Sequence, residues 1–200
     1  MNTDADWFRS SGLKLDERGY VTVDGYGRTN LDGVWALGDI TPGHALAHRA
    51  FEQGITIAEK IAGADPKPVI DDTVPQVVFS FPEAASVGLT LDQAKAREDV
   101  VEPKETAYPM LSNARMLMSG EGGSMTVVSG AFANNPDMQV VLGVHIVSPI
   151  ASDLIAEAEQ LVGNRVPLAD AARLIHPHPT FSETLGEALL KADGRPLHTR

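Results

Sequence analysis

With 200 residues, 43% of them hydrophobic and 22% charged, the chain has room for one ample globular domain or two small ones. Its net charge of -11 repels phosphate backbones and anionic membrane surfaces, and no apolar run approaches a membrane span, so no nucleic acid and no membrane is expected as partner. The absence of cysteine excludes a disulfide framework, a thiolate metal site and a redox dithiol within these residues. The first six residues, Met1 to Asp6, lack the basic flank and apolar core of a secretory signal, so a cytoplasmic location is expected.

Residues 12–40 open with a turn at Asp16 to Gly19 leading into Tyr20-Val21-Thr22-Val23, whose alternation predicts a strand. The short apolar run Val34-Trp35-Ala36-Leu37 predicts a buried strand that ends in Gly38-Asp39. At such a strand end Gly38 lets backbone come close and Asp39 can accept from a hydroxyl, although a simple turn also explains the dipeptide. After Pro42-Gly43-His44, residues Ala47, Ala50, Phe51, Gly54, Ala58 and Ile61 recur at helical spacing as far as Gly63. The helix therefore starts near Leu46-Ala47-His48, with free N–H groups and a partial positive charge. From Ala64 to Pro75 prolines and carboxylates cluster without periodicity, which places a domain junction at about residue 70.

Beyond it, Gln76 to Phe79 and Ala85 to Gly88 read as short strands, and Thr90-Leu91-Asp92-Gln93 is a capping box that starts a helix. Val100 to Tyr108, Ser124 to Val128 and Val140 to Val147 read as further strands, with a Gly-rich loop from Asn113 to Gly123. Ile150, Leu154, Ile155, Ala158, Leu161 and Val162 mark an amphipathic helix stopped at Gly163. Strands in a meander with helices gathered on one side predict an α+β layer. Met110, Met116, Met118 and Met125 are expected in core or interface packing, with core preferred, while Met116 to Gly123 and Gly130 to Asp137 carry no motif that assigns them a role.

The stretch with the most chemistry is Ile175-His176-Pro177-His178-Pro179-Thr180-Phe181-Ser182-Glu183. Each histidine precedes a proline, which holds it on non-helical backbone, and an X-Pro bond is the kind that can adopt cis. Thr180-x-x-Glu183 has capping-box spacing ahead of an alanine- and leucine-rich helix. A histidine just before a helix, with a carboxylate in its first turn, suits a base that needs an orienting acceptor; spacing alone fits a helix cap equally well. His-x-His is also a metal-ligand spacing, but no third ligand stands near, so no metal site is expected.

The run His178-Pro179-Thr180-x-Ser182-Glu183 resembles the active-site signature of the dihydrolipoamide dehydrogenase family, one of the flavin disulfide reductases. The resemblance implies that His178 is the acid/base for a dithiol and Glu183 its orienter, with His176 a neighbour of the site. Arg28-Thr29-Asn30 followed by Val34 to Asp39 resembles that family's second FAD motif, implying that Asp39 binds the ribityl chain. Leu46-Ala47-His48 is similar to the segment whose backbone N–H groups face the flavin pyrimidine. Phe81-Pro82-Glu83 to Thr90 and Leu142-Gly143-Val144-His145 resemble the dimerisation domain.

The fold implied is an antiparallel α+β dimerisation domain over residues 71–200. Residues 1–70 would be the C-terminal remnant of an α/β FAD-binding domain. The activity implied is reoxidation of dihydrolipoyl groups with NAD+, using FAD, by a homodimer that meets the lipoyl domains of 2-oxoacid dehydrogenase complexes. The chain carries neither nucleotide fingerprint nor dithiol, so it is expected to be the C-terminal piece of such an enzyme and inactive alone. A mycothiol-disulfide reductase, or a free-standing dimerisation module without catalysis, are the alternatives.

Overall fold

The computed structural model describes residues 3 and 5–199. The chain divides into two compact units, one ending at Asp71 and the other beginning at Asp72.

The first unit holds α1 (Asp6–Arg9) and α2 (Ala47–Ile61), with a small core of Phe8, Val21 and Ala36. The turn expected at Asp16 to Gly19 forms because Asp16 Oδ1 accepts from the N–H groups of both Arg18 and Tyr20 at 2.9 Å. The two strands expected here are not strands. Val21 and Trp35 make single bridges, to Leu15 and Arg28, and Val34 and Leu37 stay 38% and 37% exposed. Among the described residues no neighbouring segment supplies either stretch with a continuous ladder. Helix α2 lies where its periodicity places it, yet its buried face carries Arg49, Thr56 and Ile57, while Phe51 and Ile61 are exposed. Arg49 sets that orientation: its Nε donates to Asp71 Oδ1 and its Nη2 to the Pro42 carbonyl, both at 2.6 Å.

The second unit is built on a five-stranded antiparallel sheet of β1 (Gln76–Val78), β2 (Glu83–Gly88), β3 (Val100–Pro109), β4 (Ser124–Phe132) and β5 (Asn135–Ser148), ordered β1-β2-β5-β4-β3. Alternate side chains divide between its faces, and a register shift in β5 between Val141 and Gly143 changes which positions face which side. Val141, Val144 and Ile146 join the main core with α5 (Ala151–Gly163), α6 (Leu168–Ala171) and α7 (Glu183–Ala192). Val140 and Leu142 join a smaller core under α3 (Leu91–Ala96), whose capping box is fully formed. The buried residues of α5 are Ala151, Leu154, Ile155, Ala158, Leu161 and Val162, the stripe its spacing predicts. Its first turn is fixed by Glu83, whose Oε2 accepts from the Ser152 N–H at 2.8 Å. The expected α+β layer is therefore the fold of this unit, but its helices are not all on one side, since α3 packs on a separate core from α5, α6 and α7.

Two segments read from sequence as featureless have structure. Residues 130–137 form the β4–β5 hairpin, turning at Ala133-Asn134. The expected loop after Asn113 contains α4 (Ala114–Ser119), capped by Asn113 Oδ1 and ended by Gly120 at φ +69°. Met110, Met116 and Met125 are fully buried, whereas Met118 is 68% exposed and not a core residue.

Candidate active site

Between α6 and α7, residues 172–182 form neither helix nor strand, as two His-Pro pairs require. The His178–Pro179 peptide is cis. Helix α7 starts at Glu183 itself, so Thr180 is not its N-cap; the Thr180 hydroxyl donates to the Pro177 carbonyl at 2.7 Å instead. The other half of the expected box is present, because Glu183 Oε2 accepts from the Thr180 N–H at 2.7 Å. The second carboxylate oxygen, Oε1, lies 2.8 Å from His178 Nδ1. The carboxylate therefore caps and orients at once, one function per oxygen, although the spacing had left these as competing readings.

The electrostatics fix the tautomer. Burial raises the Glu183 pKa, but the Thr180 N–H and the His178 ring outweigh it and hold the group below its usual range. An ionised Glu183 accepts only, so His178 donates from Nδ1 and leaves Nε2 with a free lone pair. The His178 side chain is 68% exposed and that of Glu183 is 19% exposed. A projecting imidazole on a rooted carboxylate can take a proton from a group arriving at the exposed face.

Around the pair is a cleft of about 150 Å³ lined by Tyr108, Asn113, Leu117, His178, Glu183 and Glu187. The Asn113 side-chain amide donates to the Thr180 carbonyl at 3.1 Å and ties the segment to α4. Tyr108 is fully buried, with no hydrogen-bond partner for its hydroxyl among the described residues. Burial, with Glu187 and Glu183 adding to it, pushes its pKa up to about 12, so it is a neutral donor. On the next turn of α7, Glu187 Oε1 holds His198 Nδ1 at 2.8 Å. His176 turns to a different carboxylate from His178: its Nε2 lies 2.8 Å from Glu157 Oε1 on α5. Sequence reading missed Tyr108, Glu157 and Glu187; only the i, i+4 spacing of Glu183 and Glu187 signals that two carboxylates share one face.

The remaining candidates lie in the first unit. Exposed Asp39 sits on a 3₁₀ turn, Gly38 to Ile40, whose Gly38 N–H donates to Gln53 on α2 at 2.8 Å. A Cβ on Gly38, at φ +72°, would stand 3.3 Å from Ala50 Cβ, so the turn lies directly on α2. Leu46 is the extended residue before α2, with no side-chain cap, and Ala47 and His48 begin the helix with exposed side chains.

Residues 74–189 match the family described as pyridine nucleotide-disulphide oxidoreductase, dimerisation domain, more than half of the chain. The chain belongs to the pyridine nucleotide-disulphide oxidoreductases. Residues 1–54 match a second domain of the same family. The chain is 41% identical over 199 residues to dihydrolipoyl dehydrogenase of Cupriavidus necator, covering 98% of this chain and 40% of the relative. It is 38% identical to that of Bacillus subtilis, over 92% of this chain and 38% of the relative. Among solved structures, LpdA from Mycobacterium tuberculosis superposes with a TM-score of 0.83 at 30% identity, over 96% of this chain and 40% of that one. The chain thus spans about 40% of the length of relatives such as the C. necator enzyme, and it carries the family's dimerisation domain.

Proposed function

We propose that this chain is the C-terminal part of an FAD-dependent dihydrolipoyl dehydrogenase that oxidises dihydrolipoyl groups of 2-oxoacid dehydrogenase complexes with NAD+ in the cytoplasm. Residues 71–200 act as its dimer-forming domain and residues 1–70 as the end of its FAD-binding domain. The observation that carries this reading is Glu183, bonded at once to the Thr180 N–H at 2.7 Å and to His178 Nδ1 at 2.8 Å. A dihydrolipoyl thiol needs a base, and His178 Nε2 takes its proton, leaving a thiolate and an imidazolium. Glu183 stabilises that imidazolium through Nδ1 and prevents the ring from turning its proton-bearing nitrogen outwards.

FAD and NAD+, when bound, would supply the two-electron acceptor chemistry for which this chain has no group of its own. In this reading the first unit lies along one side of the FAD: Asp39 offers a carboxylate to a ribityl hydroxyl, and the start of α2 at Leu46, Ala47 and His48, where no side chain caps the helix, is the segment that would face the pyrimidine edge. The exposed His178 suits a homodimer in which each pair meets the other subunit's dithiol.

A chimera tests this reading. The chain replaces the matching C-terminal portion of the C. necator enzyme, and dihydrolipoamide-dependent reduction of NAD+ is measured. Turnover comparable to the parent supports the assignment; a flavin-loaded chimera that reduces other disulfides but leaves dihydrolipoamide untouched contradicts it.

A further inference from the structure

We propose that His176 is a positioning residue for the His178–Glu183 pair: tethered to Glu157 on α5 and seated against Gly186 on α7, it fixes where the His178 segment meets the helix that carries Glu183. The inference rests on the proposed role of that pair. Helix-type backbone bonds hold residues 172–182 only at their ends, from Ala172 to Leu168 and from Leu185 to Ser182, so between residues 175 and 180 side chains must hold the segment. One anchor is the Asn113 amide on the Thr180 carbonyl, beyond His178 in the chain. The other, on the near side, is His176, whose Nε2 meets Glu157 Oε1 at 2.8 Å with the ring only 10% exposed. Only Pro177 separates the two histidines, and its ring fixes φ, so a displacement at His176 is carried into His178 with few torsions to absorb it.

Gly186 supplies the link to α7. A Cβ there would stand 2.5 Å from His176 Nδ1 and 2.9 Å from Cε1, so the helix approaches the imidazole through bare backbone. Glu183 and Gly186 are three residues apart and share a helix face. That one face therefore touches both histidines, with its backbone on His176 and its carboxylate on His178. The charged groups that bear on His176 are Glu157 from α5 and Glu183 from α7. The Glu157 bond raises the His176 pKa against the opposing effect of burial, which strengthens the tether through a charge-assisted hydrogen bond.

The test reads His178 in the 200-residue chain by ring ¹⁵N chemical shifts and Nδ1 proton exchange, with circular dichroism as a check of fold. The wild type is expected to show a single Nδ1–H tautomer. His176→Ala and, from the other side, Glu157→Ala should each give a tautomer mixture and an Nδ1 proton that exchanges roughly tenfold faster, as loss of one hydrogen bond implies. His176→Gln, whose amide can still donate to Glu157, should restore the wild-type signals. Folded alanine variants with an unchanged His178 tautomer and exchange rate overturn the proposal. Global unfolding of both also overturns it, since the tether would then hold the fold and not the pair. These signals do not depend on turnover, so a chimera inactive toward dihydrolipoamide would refute the proposed activity and leave this result standing.

Discussion

Replacing Glu183 with glutamine removes one acceptor and introduces a donor at a site where two N–H groups each need an oxygen. From sequence alone glutamine looks a mild change, since the ring keeps a neutral acceptor nearby. The geometry reverses that expectation. The Thr180 N–H is a backbone donor and cannot change, so the single amide oxygen must face it. The amide NH₂ is then left against His178 Nδ1, which can accept only if the ring moves its proton to Nε2. Folding loses little, because both contacts survive in altered form; about 1 kcal/mol or less is expected. The chemistry loses much more, because the nitrogen that must take the thiol proton already carries one. Turnover should fall by roughly a hundredfold or more, the range for loss of a general base. Urea unfolding of the chain, ring ¹⁵N shifts and NAD+ reduction by the chimera read the three quantities separately. A Glu183→Gln variant with His178 still protonated at Nδ1, and turnover within about threefold of wild type, as for a pair that contributes no general base, would refute the reasoning.

Glu183→Ala strands the Thr180 N–H and should cost about 1–2 kcal/mol in the same unfolding assay. Because the folded pKa of Glu183 is depressed from 4.5, its contribution is full above that value and fades as pH falls through the folded pKa; the alanine variant should lack this acid-side loss. His176 has the opposite sign: its folded pKa is raised from 6.5, chiefly by Glu157, so its contribution is full below that value and declines as pH rises through the folded pKa, a dependence that Glu157→Ala should weaken. Gly186→Ala gains helix propensity but drives its Cβ into the His176 ring, and a net loss of about 1–3 kcal/mol is expected; a more stable variant would contradict that packing. Tyr108→Phe removes a buried hydroxyl that has no partner and should be neutral or slightly stabilising, so a loss above about 1 kcal/mol would mean that the hydroxyl is bonded.

Long periodic segments were readable because burial imposes the period. The buried positions of α5 are the residues whose spacing marks the helix, and each of the five strands of the second unit covers a stretch read as strand, although β4 and β5 run on through the hairpin at 130–137 that carried no strand signal. Short or partner-dependent segments were not. Helix α4 has six residues, too few for a period, and is declared only by Asn113 and Gly120 at its ends. Val34 to Leu37 has strand composition, but a strand exists only where a neighbour accepts its hydrogen bonds. In α2 the period is right and the face wrong, because Arg49 buries through an ion pair that hydrophobic spacing cannot register. At the site, His178 and Glu183 were legible as a pair from five residues of chain. Glu157 was not, since it lies 19 residues before His176 and only the packing of α5 on the sheet brings it near.

The measurement that bears most directly on the central claim is turnover of the chimera carrying His178→Gln. The account predicts unchanged flavin absorbance, showing that cofactor loading is intact, with dihydrolipoamide oxidation reduced by roughly a hundredfold or more. A flavin-loaded His178→Gln chimera that oxidises dihydrolipoamide at close to the unsubstituted rate would contradict it.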